Sequence, residues 1–357
     1  MADLGRHYDG SNNYTGGTAT GPGNRTNVYA VKEFLERARP HDIFIPAADM
    51  KPVPMYKNET VSWRRVVNDA VSTTEITEGV NPDWQSISYE DVTGTFEERV
   101  EIYAVTSRAR DLSEDDHRKA NVDQLKDKVM RIRTAVAWSK WLAGTSVVYN
   151  DPSHSARTSV NGPVSLGILQ EAIRLLDDAK GITFTEVDNG GMENGTVGLE
   201  PAYIAFCHTN LLPDVRRIDG FTKVSEYGGS DPISKFERGS IEHLRFLMSP
   251  ELTAFAGGGA TATGLNLKAT DVSGTDKVDV YPILITAKNA LGCADLKGSG
   301  SKGWGGVDVK ILDGADKADP AGLNDLFVAH WYDLHVILND NWLVRLEVGA
   351  TSDLTQL

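Results

Sequence analysis

Few residues in this sequence could carry out catalysis, and their spacing does not match that of a metal site or a phosphate-binding loop. His330 and His335 lie five residues apart in a strand-like run, so they point to opposite faces and cannot share a metal ion. The stretch GSGSKG (298–303) lacks the glycine spacing of a P-loop and the Ser/Thr that follows its lysine. The cluster DGADKADP (313–320) lacks the ligand spacing of a calcium loop. The sequence therefore predicts no catalytic residue, no metal and no cofactor, and we expect no enzyme.

Cysteine usage indicates a protein made in a reducing compartment. Cys207 and Cys293 stand alone, far apart in the sequence. Two such residues provide neither a disulfide framework nor a zinc-ligand spacing. We expect two free, buried thiols, as is usual for a chain that folds in a cytoplasm.

Composition and charge exclude several classes of protein. The chain has 357 residues and a formal net charge of −14, with no block of lysine and arginine, so sequence-specific binding to nucleic acid is not expected. No apolar run approaches the ~18 residues of a membrane span. The start, MADLGRHYDGSNNYTGG, has no apolar core of a signal peptide. The length predicts two subdomains, because single cores stop growing near ~250–300 residues.

The first third of the chain reads as extended segments. Residues 1–27 are rich in Gly, Asn and Thr and predict an extended arm or a disordered segment, followed by a short amphipathic helix over 28–39. Residues 41–58 contain three prolines and predict extended chain rather than a central strand. Two runs with period-two alternation follow, TVSWRRVV (60–67) and DVTGTFEERVEIYAVTS (91–107). The two runs predict a two-stranded arm.

This arm has too little apolar surface to form a core. About 20 polar residues, including TTEITEGVNPDW (73–84), join its two limbs and are too many for a tight turn. An isolated two-stranded ribbon is marginal in water. The arm must therefore pack on something else, and another copy of the chain is one candidate.

The remaining elements alternate helices with short strands. The clearest is a helix over 113–143, with one apolar stripe formed by Val122, Leu125, Val129, Ile132 and Val136. A second helix is predicted over 165–181, and residues 183–201 read as a turn-rich connector. Residues 280–296 read as a strand running into a helix. The glycine-rich stretch 257–264 reads as a mobile loop.

The end of the chain, residues 326–349, reads as a hairpin of two long strands. Its two apolar runs flank the turn triplet Asn339, Asp340 and Asn341. These strands are the expected partners of the 113–143 helix.

The ordered series of blocks resembles the major capsid proteins of tailed bacteriophages, in the podovirus-like branch of the Hong Kong 97-like fold. The stretches that carry the resemblance are, in order, NETVSWRRVV, TTEITEGVNP, VTGTFEERVEIYAVTSRARDL, WLAGTSVVYND, YIAFCHTNLLPDVRRIDGF, SKFERGSIEHLRFLMSP and DPAGLNDLFVAHWYDLHVILNDNWLVRLEVGA. Together they cover roughly residues 28–350.

The resemblance implies an α+β chain with a defined domain order. Residues 1–57 would be an N-terminal arm with a short helix, and residues 58–107 the extended β-ribbon loop. Residues 108–200 and 308–357 would form a peripheral domain around a spine helix at 113–143. Residues 201–307 would form an axial domain. The chain would carry no scaffolding segment of its own.

By the same resemblance, the protein would be a non-enzymatic shell protein that assembles with itself into hexamers and pentamers. The icosahedral shell would enclose double-stranded DNA without reading its sequence, and a scaffolding protein, a portal and decoration proteins are further expected partners. The chain would assemble in the host cytoplasm and reside in the virion. The extended loop would contact a neighbouring subunit through Trp63, Arg65, Glu75, Glu78, Trp84, Phe96 and Arg99.

Three other functions stay open at this point, and the unsupported arm argues against one of them, a monomeric binding module. An encapsulin-like nanocompartment would share the fold and hold protein cargo instead of DNA. A soluble hydrolase would need a nucleophile or metal constellation that the sequence does not display.

The tip of the arm contains no lysine, so no isopeptide cross-link is expected from it. Lys57 lies only near the base of the arm.

Overall fold

The structure is a computed structural model that describes most of the chain after residue 42. The described residues are 43–44, 47–54, 58–67, 75, 78–79, 84, 86–112, 117–188, 196–227, 232–297, 308–312 and 321–353. The predictions of an arm over 1–27 and of a helix over 28–39 lie outside them, as do those for GSGSKG and DGADKADP.

The described helices and strands are numbered in chain order. The helices are α1 (Ser107–Leu112), α2 (His117–Trp141), α3 (Leu166–Asp178) and α4 (Leu212–Arg216). The strands are β1 (Ala48–Pro54), β2 (Thr60–Val67), β3 (Ser88–Thr95), β4 (Glu97–Thr106), β5 (Val147–Tyr149), β6 (Phe184–Asp188), β7 (Thr196–His208), β8 (Thr222–Lys223), β9 (Glu237–Ile241), β10 (Leu244–Ser249), β11 (Ala269–Val272), β12 (Thr275–Val278), β13 (Val280–Thr286), β14 (Leu291–Lys297), β15 (Asp308–Leu312), β16 (Asn324–Ile337) and β17 (Leu343–Gly349). The chain is therefore α+β, as the sequence predicts.

Most of the strands belong to two sheets. Sheet A contains β1, β14, β16 and β15 in that order, with β4 paired to β16. Sheet B runs β5–β17–β13–β7–β10–β9–β8, with β6 paired to β7. Two ribbons, β2–β3 and β11–β12, stand apart from both sheets.

The central strands of sheet B are covered on both faces, which explains why they are rich in apolar residues. Along β13 every residue is buried, because alternate side chains enter two different cores. One core lies under α3, where Leu169 and Leu176 pack on Phe246 and Ile283. The apolar stripe of the predicted 165–181 helix is thus confirmed as the face that packs on this sheet.

Helix α2 packs along sheet A and reaches sheet B with its last turns. Its buried Leu125 and Val129 meet Phe327 and Trp331 of β16. At the other end, Trp141 joins the core on the second face of sheet B. At 25 residues, α2 confirms the long helix of the 113–143 prediction, and residues 113–116 lie outside the described part.

The predicted terminal hairpin is wrong. Strands β16 and β17 belong to different sheets: β16 pairs with β14, β15 and β4, and β17 pairs with β13 and β5. Between them Asp340 accepts a 3.0 Å hydrogen bond from the backbone N–H of Thr145. This tie directs the chain from sheet A into sheet B instead of back along β16.

Two further predictions are corrected to strands. The helix predicted within 280–296 is strand β14, and the connector predicted at 183–201 contains β6 and the start of β7, which pair antiparallel. The turn between β13 and β14 uses Asn289 at φ 63°. Strand β14 is buried between β1 and β16, and a short apolar run of that kind has no period that separates strand from helix.

The glycine-rich stretch 257–264 is hydrogen-bonded to its surroundings rather than free, so the prediction of a mobile loop is wrong. The N–H of Gly259 donates to Val278 O at 2.8 Å, and the N–H of Ala260 donates to Val160 O at 3.0 Å. A side chain at Gly259 would meet Val160 O at 2.9 Å. Glycine is needed there for close packing.

The remaining predictions about the fold concern β1, the thiols and the segment boundaries. Strand β1 lies at the edge of sheet A, consistent with its prolines. Cys207 and Cys293 are both buried thiols outside any disulfide, as expected. Sheet B takes strands from 201–307 but also β5, β6 and β17 from outside that range, so the sheets do not follow the predicted segments. The assignment to peripheral and axial domains stays a prediction.

Candidate subunit interface

The predicted arm is a shorter ribbon than the sequence suggests. Strands β2 and β3 pair antiparallel from Thr60↔Thr95 to Val67↔Ser88. The second predicted limb then divides at Phe96, because residues 97–106 form β4 and pair with β16 in sheet A. The free ribbon is thus limited to residues 60–95, and β4 anchors it to the body of the chain.

The base of the ribbon has a small core of its own. Trp63 is 7% exposed and packs with Ala294 and Leu334, and Phe96 lies against the same cluster. A Cβ added to Gly94 would lie 2.6 Å from Cδ1 of Leu334. The absence of a side chain at Gly94 therefore lets the ribbon approach sheet A closely.

Two cross-strand ion pairs hold the outer half of the ribbon. Arg64 binds Asp91 through two hydrogen bonds of 2.7 and 2.8 Å, and Arg65 binds Glu90 on the other face at 2.9 and 2.5 Å. The hydrogen bonds from Arg64 lower the pKa of the Asp91 carboxyl. Both pairs are exposed, so they favour the ladder register more than they add stability.

Apolar side chains on the outer half of the ribbon are left uncovered by the described chain. Val66 and Tyr89 are paired neighbours on one face, and they are 59% and 58% exposed. Ile87 is 61% exposed and Trp84 is 98% exposed. A surface with several large uncovered apolar side chains marks a site for association.

A second uncovered apolar surface lies on sheet A, and we call it the open face. Along β4 the side chains of Val100 and Ile102 are about half exposed, and they point away from α2. Leu312 of β15 is also 50% exposed. It lies on the same face of the sheet, because Leu312 pairs with Leu326 of β16 and Leu326 pairs with Ala104 of β4. Glu101 points to the opposite face and binds Lys128 of α2 at 2.5 Å. The face of β4 that meets α2 thus carries Glu101 with Tyr103 and Val105, and the outward face exposes Val100 and Ile102.

A histidine–carboxylate pair borders the open face. His330 Nε2 lies 2.6 Å from Glu98 Oε1. The hydrogen bond with His330 lowers the pKa of Glu98. This arrangement confirms that His330 and His335 lie on different faces of β16, because His335 contacts Trp141 of α2.

A network of charged side chains, buried at Asp333 and exposed at Glu97 and Lys140, lies where the ribbon, sheet A and α2 meet. Asp333 is 1% exposed and accepts hydrogen bonds from Arg99 at 3.3 Å and from Trp331 Nε1 at 3.2 Å. Arg99 also binds Glu97, which in turn binds Lys140 of α2 at 2.6 Å. The hydrogen bond from Lys140 lowers the pKa of Glu97.

A neighbouring buried pair joins α2 to β14 in the same network. Arg133 of α2 donates to Asp295 at 2.5 Å. Burial raises the pKa of Asp295, against the opposing effect of Arg133. Asp295 stands directly opposite Asp333 in the β14–β16 ladder, so the network is continuous across the two strands.

The seven predicted contact residues lie in two parts of the structure. Trp63, Phe96, Arg65 and Arg99 make contacts within their own chain, at the base of the ribbon or along it. Glu75, Glu78 and Trp84 are exposed in the segment that joins β2 to β3. The contacts of all seven residues with a neighbouring subunit stay a prediction.

Sequence reasoning missed the exposed apolar pairs. Val66 and Tyr89 of the ribbon and Val100 and Ile102 of β4 were not among the predicted contact residues. Val66 carries a usable signal, because it is an apolar side chain on the same strand face as Ser62 and Arg64. An apolar residue on the polar face of a strand is the pattern expected of a surface that a partner covers.

Other kinds of site find no support in the described residues. Among them, no group of three or more His, Cys, Asp and Glu side chains is placed to hold a metal ion. Within the same described part, no helix combines the length and apolarity that crossing a membrane requires.

Comparison with known proteins identifies the architecture. No family model matches the sequence, and no curated protein matches it. Solved structures do match: the capsid of Ralstonia phage GP4 has a TM-score of 0.64 and 11% identity, over 94% of this chain and 98% of that chain. The chain has the fold of phage capsid proteins.

Two further solved structures support the same fold assignment. The capsid of cyanophage Pam1 matches with a TM-score of 0.63 and 11% identity, over 92% of this chain and 97% of that chain. The head of Helicobacter pylori bacteriophage KHP40 matches with a TM-score of 0.59 and 11% identity, over 91% of this chain and 95% of that chain. The prediction of a Hong Kong 97-like capsid fold is confirmed, and it spans nearly the whole chain.

Proposed function

We propose that the chain is a structural major capsid protein that assembles with itself into the icosahedral head shell around the double-stranded DNA of a tailed phage. The observation that carries this proposal is the capsid fold, which extends over more than nine-tenths of the chain and nearly the full length of the matched capsids. The role is non-enzymatic, and the location of the protein is the virion.

The uncovered ribbon supports assembly through self-contact. Its outer half presents Val66, Tyr89, Ile87 and Trp84 to solvent, and an isolated two-stranded ribbon is marginal on its own. Burial of about 1,000 Å² per contact gives a specific interface. A second copy of the chain, repeated around the shell, supplies that burial.

The open face of sheet A is the proposed receiving surface on the neighbouring copy. Val100, Ile102 and Leu312 expose apolar area there, and the ribbon of the same chain leaves it uncovered. Giving one ribbon and receiving another is a head-to-tail contact, which closes into rings when the rotation permits. Hexamers and pentamers are the expected rings, and a scaffolding protein, a portal and decoration proteins are the proposed further partners.

Assembly of the purified full chain tests the proposal. We would compare the unaltered chain with Val66→Lys and Val66→Thr by size-exclusion chromatography and negative-stain electron microscopy. Closed shells or rings from the unaltered chain and from Val66→Thr, with loss of both in Val66→Lys, support the proposal. Val66 is exposed, so lysine there has no folding cost to confuse the result. Equal assembly of all three chains would show that the ribbon face is not a contact.

The contents of native particles separate a phage head from a protein-filled nanocompartment. Native particles that contain the chain are isolated and treated with nuclease. They are then opened and assayed for DNA and for protein cargo. Protected double-stranded DNA supports the head-shell function. Enclosed enzyme without DNA would assign the chain to the nanocompartment class instead.

A further inference from the structure

His335 is a buried histidine whose ring has no hydrogen-bond partner in the described part of the chain. Its side chain is 6% exposed, and both Nδ1 and Nε2 are unpaired. The ring meets Trp141 of α2 edge-on at 5.6 Å between centroids, and Nε2 is 4.0 Å from Asp333 Oδ2. Buried polar atoms are paired in the large majority of cases, so an orphaned ring requires an explanation.

Charged groups surround this ring on every element that packs against it. The cations are Arg99 of β4 and Arg133 and Lys140 of α2; the carboxylates are Glu97 of β4, Asp333 of β16 and Asp295 of β14. The three cations pair with the three carboxylates, so the cluster is balanced while the ring is neutral. A proton on His335 adds one positive charge that this cluster does not balance.

The ring also lines a cleft at the base of the ribbon. The cleft has a volume of about 310 Å³ and is bordered by Thr93, Gly94 and Thr95 of the ribbon, by Lys140 of α2 and by His335. Both ring nitrogens are shielded from this cleft, so a proton reaches them when the ribbon base opens locally. The geometry therefore places a titratable group, a cleft and the root of the ribbon within one small region.

We propose that His335 is a proton-operated latch that holds the ribbon base against α2 and sheet A when neutral and releases it when protonated. The imidazolium competes with Arg99 for Asp333 and with Lys140 for Glu97. Glu97 is the first residue of β4, and its bond to Lys140 joins the ribbon base to α2. Weakening that bond frees residues 92–97 from the helix while sheet B is left intact.

The pH range follows from the environment of the ring. Burial lowers the pKa of His335 to about 4, and Arg133 and Arg99 act in the same direction against Asp333 and Glu97. The ring is therefore neutral at about pH 7, and the latch is closed. Acidification toward about pH 4.5 begins to open it, because opening lets the ring return to a normal pKa.

Amide hydrogen exchange of the full, unassembled chain tests the latch. Exchange is measured at about pH 7 and about pH 4.5, with correction for the intrinsic rate at each pH, in peptides from β3–β4 and from β13. In the unaltered chain, protection of residues 92–97 falls about tenfold on acidification and that of β13 does not change. His335→Phe keeps the aromatic contact with Trp141 and loses no hydrogen bond, so it folds and keeps its protection at both pH values.

The matched control is His330→Phe, which removes a histidine from the outer face of the same strand. It is expected to lose protection on acidification as the unaltered chain does. Unchanged protection of residues 92–97 in the unaltered chain, or equal loss in His335→Phe, would overturn the latch. The measurement requires no assembled shell, so its result is independent of the head-shell proposal.

Discussion

Gly94 and Leu334 are in direct contact at the root of the ribbon, where an added Cβ on Gly94 would lie 2.6 Å from Leu334 Cδ1. Leu334 is 5% exposed, and its Cδ2 and Cγ would also lie 3.2 and 3.3 Å from that Cβ. We expect Gly94→Val to lower the free energy of unfolding by about 1–3 kcal/mol through overpacking. Chemical denaturation measures the change. Gly167→Ala is the control, since nothing lies within 4 Å of that position, and it is expected to be neutral or slightly stabilising.

Substitutions of the two tryptophans in the ribbon region are expected to have different effects, one on folding stability and the other on assembly. Trp63 is buried in the base cluster, so Trp63→Ala should cost about 3–5 kcal/mol of unfolding free energy. Trp84 is 98% exposed, so Trp84→Ala should leave the unfolding free energy unchanged and lower the yield of assembled particles. Denaturation and sedimentation of the same two samples provide both measurements. A stability loss in Trp84→Ala would contradict the exposure of that side chain.

Glu347 is expected to be the most sensitive carboxylate of sheet B. It is fully buried on β17 and receives two hydrogen bonds from Arg157, at 2.8 and 2.7 Å, with Arg345 Nε 2.9 Å away. Glu347→Gln leaves these guanidinium groups without their counter-charge and should cost about 3–5 kcal/mol. Thermal unfolding measures the loss. Glu171→Gln breaks an exposed pair with Arg174 on α3 and should cost less than about 1 kcal/mol.

The acid sensitivity of the chain is expected to depend on His335. Its folded-state pKa is about 4, below the usual value of 6.5, so between these values the unfolded chain binds more protons than the folded chain. Stability from this group is therefore present above about pH 6.5 and is lost as the pH falls toward about 4, up to about 3 kcal/mol. His335→Phe should unfold at nearly the same denaturant concentration as the unaltered chain at neutral pH. It should be the more stable of the two near pH 4, and parallel curves for both chains would contradict this prediction.

Elements with a long, continuous pattern could be predicted from the sequence alone. Helix α2 shows its stripe at Leu125 and Val129 over seven turns, and α3 shows one at Leu169 and Leu176. Such patterns are local, since each residue is placed by neighbours three and four positions away. The order of these elements along the chain is also what makes the sequence resemble capsid proteins, and the capsid fold is confirmed.

The pairing of strands could not be predicted in the same way. The last two strands look like a hairpin because they flank a turn triplet, yet Asp340 binds Thr145, nearly 200 positions earlier in the chain. Similarly, the pattern around Trp63 does not reveal that this side chain packs on Ala294 and Leu334 of its own chain, and its contact with a neighbouring subunit stays a prediction. Period-two alternation specifies which side chains share a face, and it does not specify what covers that face.

Removal of the ribbon tip is the sharpest test of its role, because the ladder defines where the cut should fall. Val67 and Ser88 form the last pair of the β2–β3 ladder, so replacing residues 68–87 by Asn-Gly closes the ribbon with a two-residue turn in the same register. The base cluster is untouched, and we expect an unchanged unfolding free energy.

The same variant should fail to assemble, because it lacks the exposed Trp84 and Ile87 that the proposed contact buries. Light scattering and electron microscopy follow assembly, with denaturation as the check on folding. The control variant Ser273→Asn gives the β11–β12 ribbon an Asn-Gly turn and keeps residues 68–87, and it should assemble normally. Full assembly of the variant without residues 68–87 would show that the tip makes no required contact between subunits.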